Sequence, residues 1–118
     1  MTTLKFNSKI IASNILYADT FFKKIKGLMF RSKLDSDSVM VFIFKKPTKV
    51  NIHMLFVPFP IDIIFLDANK RIVSFKSLRA WIGFAFSKKK ISYLLEANKG
   101  FMTKHNLKEG DYLYFYVP

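Results

Sequence analysis

Apolar and polar residues alternate with a period of two along much of the chain, which is the pattern of half-buried β-strands. Apolar runs between turn residues predict strands over residues 8–16, 39–44, 51–57, 61–66, 71–78, 91–97 and 112–118. The turn sequence DANK joins two of these runs, so we expect 61–66 and 71–78 to form a hairpin. A short helix is predicted between Asp19, a suitable N-cap, and Gly27, a suitable C-terminal residue.

Seven or eight strands with mostly local connections and one short helix predict a mainly β fold, namely a sandwich or a barrel. Residues 79–90 show no steady period and are predicted to form a loop. The chain has 118 residues, with neither an internal repeat nor a low-complexity linker, so we expect one domain over residues 1–118.

The compartment is indicated by what the sequence lacks. It contains no cysteine, which excludes disulfides and thiolate nucleophiles and is typical of a reducing cytoplasm. Its start does not resemble a secretory signal. Polar residues and prolines interrupt the longest weakly charged run, 50–66, which is shorter than the roughly 20 apolar residues that a membrane span needs. We therefore expect a soluble, cytoplasmic protein with no membrane partner.

The charge is strongly basic, with 20 Lys and Arg residues against 8 Asp and Glu and a formal net charge of +12. Such a charge attracts polyanions, so nucleic acid is one candidate partner through the lysine clusters at 23–26, 45–49 and 87–90. Only three of the cations are arginines, the usual residues for bidentate phosphate contacts. Solvated surfaces and compositional drift are the alternatives.

His53 and Asp62 interrupt the apolar stretch NIHMLFVPFPIDIIFLD (51–67). The two prolines between them predict a bend that brings both residues to the same end of a sandwich. An unpaired carboxylate among isoleucines is destabilising, so Asp62 must bind backbone N–H groups, a cation or water. We expect backbone amides after Pro58 and Pro60 to be its partners, and a binding role is the alternative.

Several fragments in order, GLMFR (27–31), HMLFVPFPIDIIFLD (53–67), LLEANKG (94–100) and LKEGD (107–111), resemble domain-of-unknown-function family 192 over residues 12–117. The resemblance implies a jelly-roll-like β-sandwich. It implies no reaction, because no activity is established for that family. Besides the polar residues considered as site candidates, its recurrent positions fall here on a set of structural residues: Gly27, Met29, Pro60, Gly100, Gly110 and Asp111.

A ligand site is predicted from the remaining polar and aromatic residues. We expect His53, Asp62, Trp81 and Glu96 to line it, with Arg31 pairing with one of the two carboxylates. The expected ligand is a small polar molecule, for example a carbohydrate. Glu96 could instead cap the turn that follows its strand.

The sequence predicts no cofactor, no metal site and no catalytic residue, because nucleophile elbows, phosphate loops and close ligand spacings are missing. An enzyme is therefore disfavoured. A nucleic-acid-binding protein is one alternative. A hydrolase is the other, and it would require Asp62 and Glu96 to face one another.

Overall fold

The computed structural model describes residues 3–18, 35, 37–53, 59–80 and 84–118, of which 18, 51–53 and 84 are described by their backbone. Within these ranges the chain forms nine strands and one helical turn. They are β1 (Leu4–Phe6), β2 (Lys9–Ala12), β3 (Asn14–Ala18), β4 (Ser38–Thr48), β5 (Asn51–His53), β6 (Ile61–Leu66), β7 (Ile72–Leu78), β8 (Phe84–Phe86), β9 (Ile91–Asn98) and α1 (Phe101–Lys104).

The central element is a five-stranded sheet with the strand order β3-β4-β9-β6-β7. The β3–β4 pair is parallel, and the other three pairs are antiparallel. Two further two-stranded sheets, β1–β2 and β5–β8, are both antiparallel. The described part of the chain is therefore mainly β, as the sequence predicts.

Both faces of the central sheet are covered, which explains why β6 is buried at all six positions. On one side, here called face A, Ile64 and Leu95 pack against β1, β2, α1 and the segment 112–117. On the other side, face B, Ile63 and Leu94 pack with Ala85 of β8. Because side chains alternate along a strand, a single strand contributes to both cores.

The β6–β7 hairpin is confirmed, with Ile61 opposite Leu78 and Ile64 opposite Phe75. Other predicted boundaries are wrong. The predicted strand 8–16 is divided at Ser13 into β2 and β3. Its second half pairs in parallel with β4, and no local sequence pattern specifies that contact.

Strand β4 runs to Thr48 rather than ending at residue 44. Its ladder with β9 is irregular between Ile43 and Thr48, so Pro47 does not have to donate a regular ladder hydrogen bond. The predicted loop 79–90 contains β8. The predicted closing strand makes only two isolated bridges, at Tyr112 and Tyr114.

The predicted helix at residues 19–27 lies outside the described residues. The described helical turn, α1, starts after Gly100, which has a φ of +96° and therefore a conformation that favours glycine. Its residues Phe101 and Met102 are buried in the face A core. In the described part of the chain, no helix combines the length and the apolar character needed to cross a bilayer.

Candidate functional site

Asp62 is buried on face A, where its carboxylate is fully engaged in the fold. Its Oδ1 accepts a hydrogen bond from the Ser77 hydroxyl at 2.6 Å, and its Oδ2 accepts one from the Met102 backbone N–H at 3.1 Å. The carboxylate thus ties β6 to β7 and to the first turn of α1. The predicted hydrogen bond from a backbone amide to Asp62 is present. Its donor is the Met102 N–H, so the prediction that the amides after Pro58 and Pro60 are the donors was wrong.

Glu96 is buried within β9, with a relative exposure of 6%. No described residue donates a hydrogen bond to its carboxyl group or forms an ion pair with it. The prediction that it caps the turn at Asn98–Gly100 is therefore wrong, because β9 continues to Asn98. No described side-chain oxygen or nitrogen is both sealed from solvent and unpaired, so the Glu96 carboxyl group reaches the surface.

The two carboxylates lie on opposite faces of the sheet. In the β6–β9 ladder Asp62 is opposite Ala97, and Ile63 is opposite Glu96. Directly opposite residues share a face, so Glu96 lies with Ile63 on face B while Asp62 lies on face A. These two residues therefore do not form the facing pair of carboxylates that a hydrolase would require.

A group of polar residues lies on one side of Glu96, at one end of face B. Asn98 follows it by two positions on β9, and Ser38 precedes its cross-strand partner Met40 by two positions on β4. Asn14 of β3 is opposite Ser38 and donates a hydrogen bond from Nδ2 to the Ser38 Oγ at 3.3 Å. Residues two apart in a strand are separated by about 7 Å and neighbouring strands by about 5 Å, so these side chains line one end of face B. We call Asn14, Ser38, Glu96 and Asn98 the polar corner.

Burial controls the protonation of Glu96. Desolvation of the carboxylate raises the pKa of Glu96 from 4.5 to about 8. At neutral pH the side chain is therefore largely a neutral carboxylic acid, which can donate one hydrogen bond and accept others. The polar corner accordingly combines this acid with two amide side chains and a hydroxyl.

The other predicted site residues are placed only in part. The backbone of His53 lies in β5, opposite Phe84 of β8. The β5–β8 sheet packs on face B through Ala85, which is the side of Glu96 and not of Asp62. Trp81 and Arg31 lie outside the described residues.

Two further features bear on ligand binding. No group of three or more His, Asp or Glu side chains in the described ranges is arranged to hold a metal ion. An open depression of about 450 Å³ lies near α1, away from the polar corner. It is lined by Phe75, Met102, Thr103, Asn106, Leu107 and Lys108.

Comparison with known proteins gives the family. The sequence model of DUF192, described as "Uncharacterized ACR", matches residues 2–115, nearly the whole chain. The chain belongs to the DUF192 family. The resemblance inferred from the four sequence fragments is thereby confirmed.

Archaeal members of the family are close in sequence. A "UPF0127 protein" of Thermococcus sibiricus is 35% identical over 91% of this chain and 69% of its own length. The corresponding protein of Pyrococcus furiosus is 34% identical over 89% of both chains. The match spans only 61% of the relative from Thermococcus gammatolerans, so that protein has residues beyond the shared region.

Solved structures share the fold. A protein of Sinorhizobium meliloti described as a candidate transcription regulator superposes with a TM-score of 0.81 and 22% identity over 97% of this chain and 91% of its own. A protein of unknown function from Novosphingobium aromaticivorans gives 0.80 and 24% over 96% and 82%. At these identities the likeness establishes the fold alone.

Several DUF192 motif positions have structural roles. Gly100 and Gly110 both have a φ of +96°. Asp111 closes the turn at 108–111, because its Oδ2 accepts a hydrogen bond from the Lys108 N–H at 2.9 Å. Pro60 precedes β6 directly. The motif residues Gly27 and Met29 lie outside the described residues.

The sequence did not predict that Asn14, Ser38 and Asn98 lie near Glu96. One signal was present: Glu96 and Asn98 are two positions apart at the end of an otherwise apolar strand, so they share a face. Asn14 and Ser38 join them only through the β3–β4 and β4–β9 pairings, which connect segments distant in sequence.

Proposed function

We propose that this DUF192 protein binds a small, hydroxyl-rich polar ligand, such as a sugar, at the polar corner of face B. The observation that carries the proposal is the Glu96 carboxyl group, which is 6% exposed and has no partner among the described residues. The carboxyl group reaches the surface at the polar corner, so a ligand bound there could supply the hydrogen bond that no described residue provides.

The chemistry of the corner suits hydroxyl groups. A neutral carboxylic acid, amide groups and a serine hydroxyl can each donate and accept hydrogen bonds. Sugars and polyols present the same combination of donors and acceptors. None of the four residues of the corner is a cation, so they do not favour an anionic ligand over a neutral one.

The test is a binding screen of monosaccharides, disaccharides and linear polyols at pH 6, read by the fluorescence of Trp81, which is the single tryptophan, and by calorimetry. We expect Glu96→Ala to abolish binding of any ligand found. Glu96→Gln should retain part of it, because the amide can still donate. Glu109→Gln, an exposed glutamate in the turn 108–111, is the matched control and should bind as the wild type does.

The pH dependence provides a second criterion. Binding should weaken as the pH rises through about 8, because ionised Glu96 loses its donor. The proposal fails if none of these compounds binds. It also fails if Glu96→Ala binds a ligand as tightly as the wild type.

A further inference from the structure

A stripe of exposed tyrosines lies on the opposite side of the molecule, over face A. Tyr112, Tyr114 and Tyr116 have relative exposures of 47%, 59% and 67%. The residues between them, Leu113 and Phe115, are buried in the face A core. The segment 112–116 is thus extended, with its apolar residues facing inward and its tyrosines facing solvent at a spacing of about 7 Å.

Backbone bridges hold this tyrosine stripe in place. Lys5 and Tyr114 exchange two backbone hydrogen bonds of 2.9 Å, and Tyr112 forms a bridge with Arg71. Directly opposite residues in an antiparallel pair project to the same side, so the exposed Lys5 lies beside Tyr114. The Tyr17 hydroxyl also donates a hydrogen bond to the Tyr116 carbonyl. The rings are therefore displayed on a fixed backbone.

Two lysine-rich segments that are distant in sequence meet at one end of the central sheet. Val50 accepts a hydrogen bond from the Ser87 N–H at 2.9 Å, and Thr48 is opposite Ile91. These two segments carry six exposed lysines and no acidic residue. We call them the lysine surface: Lys45, Lys46, Lys49, Lys88, Lys89 and Lys90.

The tyrosine stripe leads toward the lysine surface. The Phe115 ring contacts the Tyr93 ring edge-on, with centroids 5.2 Å apart, and Tyr93 is opposite Ile43. Lys90 precedes Tyr93 by three residues, and Lys45 follows Ile43 by two. The Tyr116 end therefore lies at the basic end of the sheet. The acidic residues of the turn 108–111 precede Tyr112 at the other end.

We propose that the tyrosine stripe and the lysine surface together bind single-stranded nucleic acid. Exposed aromatic rings at regular spacing beside a basic groove are the combination by which proteins stack successive bases and neutralise the backbone. Tyr114 and Tyr116 would stack bases, and the lysine surface would contact phosphates. This surface is separate from the polar corner, so the inference does not depend on the proposed small ligand.

Fluorescence anisotropy with a fluorescein-labelled dT12 oligonucleotide at 50 and 200 mM KCl provides the test. We expect the double variant Tyr114→Ala/Tyr116→Ala to weaken binding by about 30-fold or more, since it removes two stacking rings and each stacked base contributes at least about 1 kcal/mol. The matched Tyr114→Phe/Tyr116→Phe variant keeps both rings and should bind as the wild type does. Phe75→Ala removes an exposed aromatic residue of β7 outside the stripe and should have no effect.

The lysine surface is tested by salt dependence. Lys45→Gln/Lys89→Gln should reduce the slope of log K against log salt by about 0.7 for each phosphate that is no longer neutralised. A urea titration of each variant will show that it remains folded. Three results would overturn the proposal: no binding of dT12 at 50 mM KCl, equal binding by the alanine variant, or stronger binding to maltohexaose or phosphatidylserine vesicles than to dT12.

Discussion

Asp62 and Glu96 lie on neighbouring strands, yet their side chains point to opposite faces of the central sheet. Asp62 accepts two hydrogen bonds on face A, from Ser77 and Met102. Glu96, on face B, has no hydrogen-bond partner among the described residues. The Asp62 carboxylate is therefore part of the scaffold, whereas the Glu96 carboxyl group is the one that the proposed ligand would contact.

Replacing Asp62 should destabilise the protein without affecting a ligand at the polar corner. Asp62→Ala removes both acceptor oxygens and leaves the Ser77 hydroxyl and the buried Met102 N–H without their partner. We expect the free energy of unfolding to fall by about 2–3 kcal/mol, measured by urea denaturation. Ser77→Ala should lose only about 1 kcal/mol, because the Met102 bond remains. An unchanged stability of Asp62→Ala would contradict the assigned role.

Stability should depend on pH through Glu96. Its pKa is 4.5 in the unfolded chain and about 8 in the folded one, so the folded state binds more protons between these values. Protonated Glu96 contributes its full stabilisation to the folded protein below pH 4.5. That stabilisation decreases above pH 4.5 and is lost once the pH has risen through 8. We expect the stability of the wild type, relative to Glu96→Gln, to decrease by a few kcal/mol between pH 5 and 9.

The measurement is a series of urea titrations of both proteins over that range. Subtracting the free energies of unfolding of the two proteins cancels the pH dependence that arises from the other titrating groups, which both proteins share. A difference that does not change with pH would show that Glu96 is ionised in the folded protein.

The glycines Gly100 and Gly110 should resist substitution for a conformational reason. Both have a φ of +96°, and a Cβ at either would meet no steric clash: nothing lies within 4 Å at Gly100, and Arg71 Nη2 is 3.5 Å away at Gly110. We expect Gly100→Ala and Gly110→Ala each to lose about 1 kcal/mol from backbone strain. Thermal denaturation measures this, with Lys99→Ala as a surface control that should stay within about 0.5 kcal/mol.

The two sides of the segment 112–116 should differ in their contribution to stability. Leu113 is 1% exposed, so Leu113→Ala should cost about 2–5 kcal/mol. Tyr114 is 59% exposed, so Tyr114→Ala should change stability by less than about 0.5 kcal/mol. Denaturant titration of both variants measures the contrast. A large loss in Tyr114→Ala would mean that its ring supports the fold and would weaken its use as a binding probe.

Local pattern in the sequence was sufficient for the elements with local partners. The β6–β7 hairpin was predicted because a four-residue turn separates two strands of period two. Alternation along this strand is also sufficient to place Asp62 on one face with Ile64 and Leu66, opposite Ile63. Asp111 was also predicted to organise its turn, and it does so by contacts within four residues.

The tertiary structure alone decided how distant segments meet. The insertion of β9 between β4 and β6 placed Glu96 opposite Ile63 and away from Asp62, which separated a predicted pair of site residues. The parallel β3–β4 pair brought Asn14 to Ser38, and the Val50–Ser87 contacts brought two lysine-rich segments to the same end of the sheet. A sequence pattern specifies which face of its own strand a residue occupies. Strand order and register depend on packing between segments far apart in the chain, so they set which chemical groups share a site.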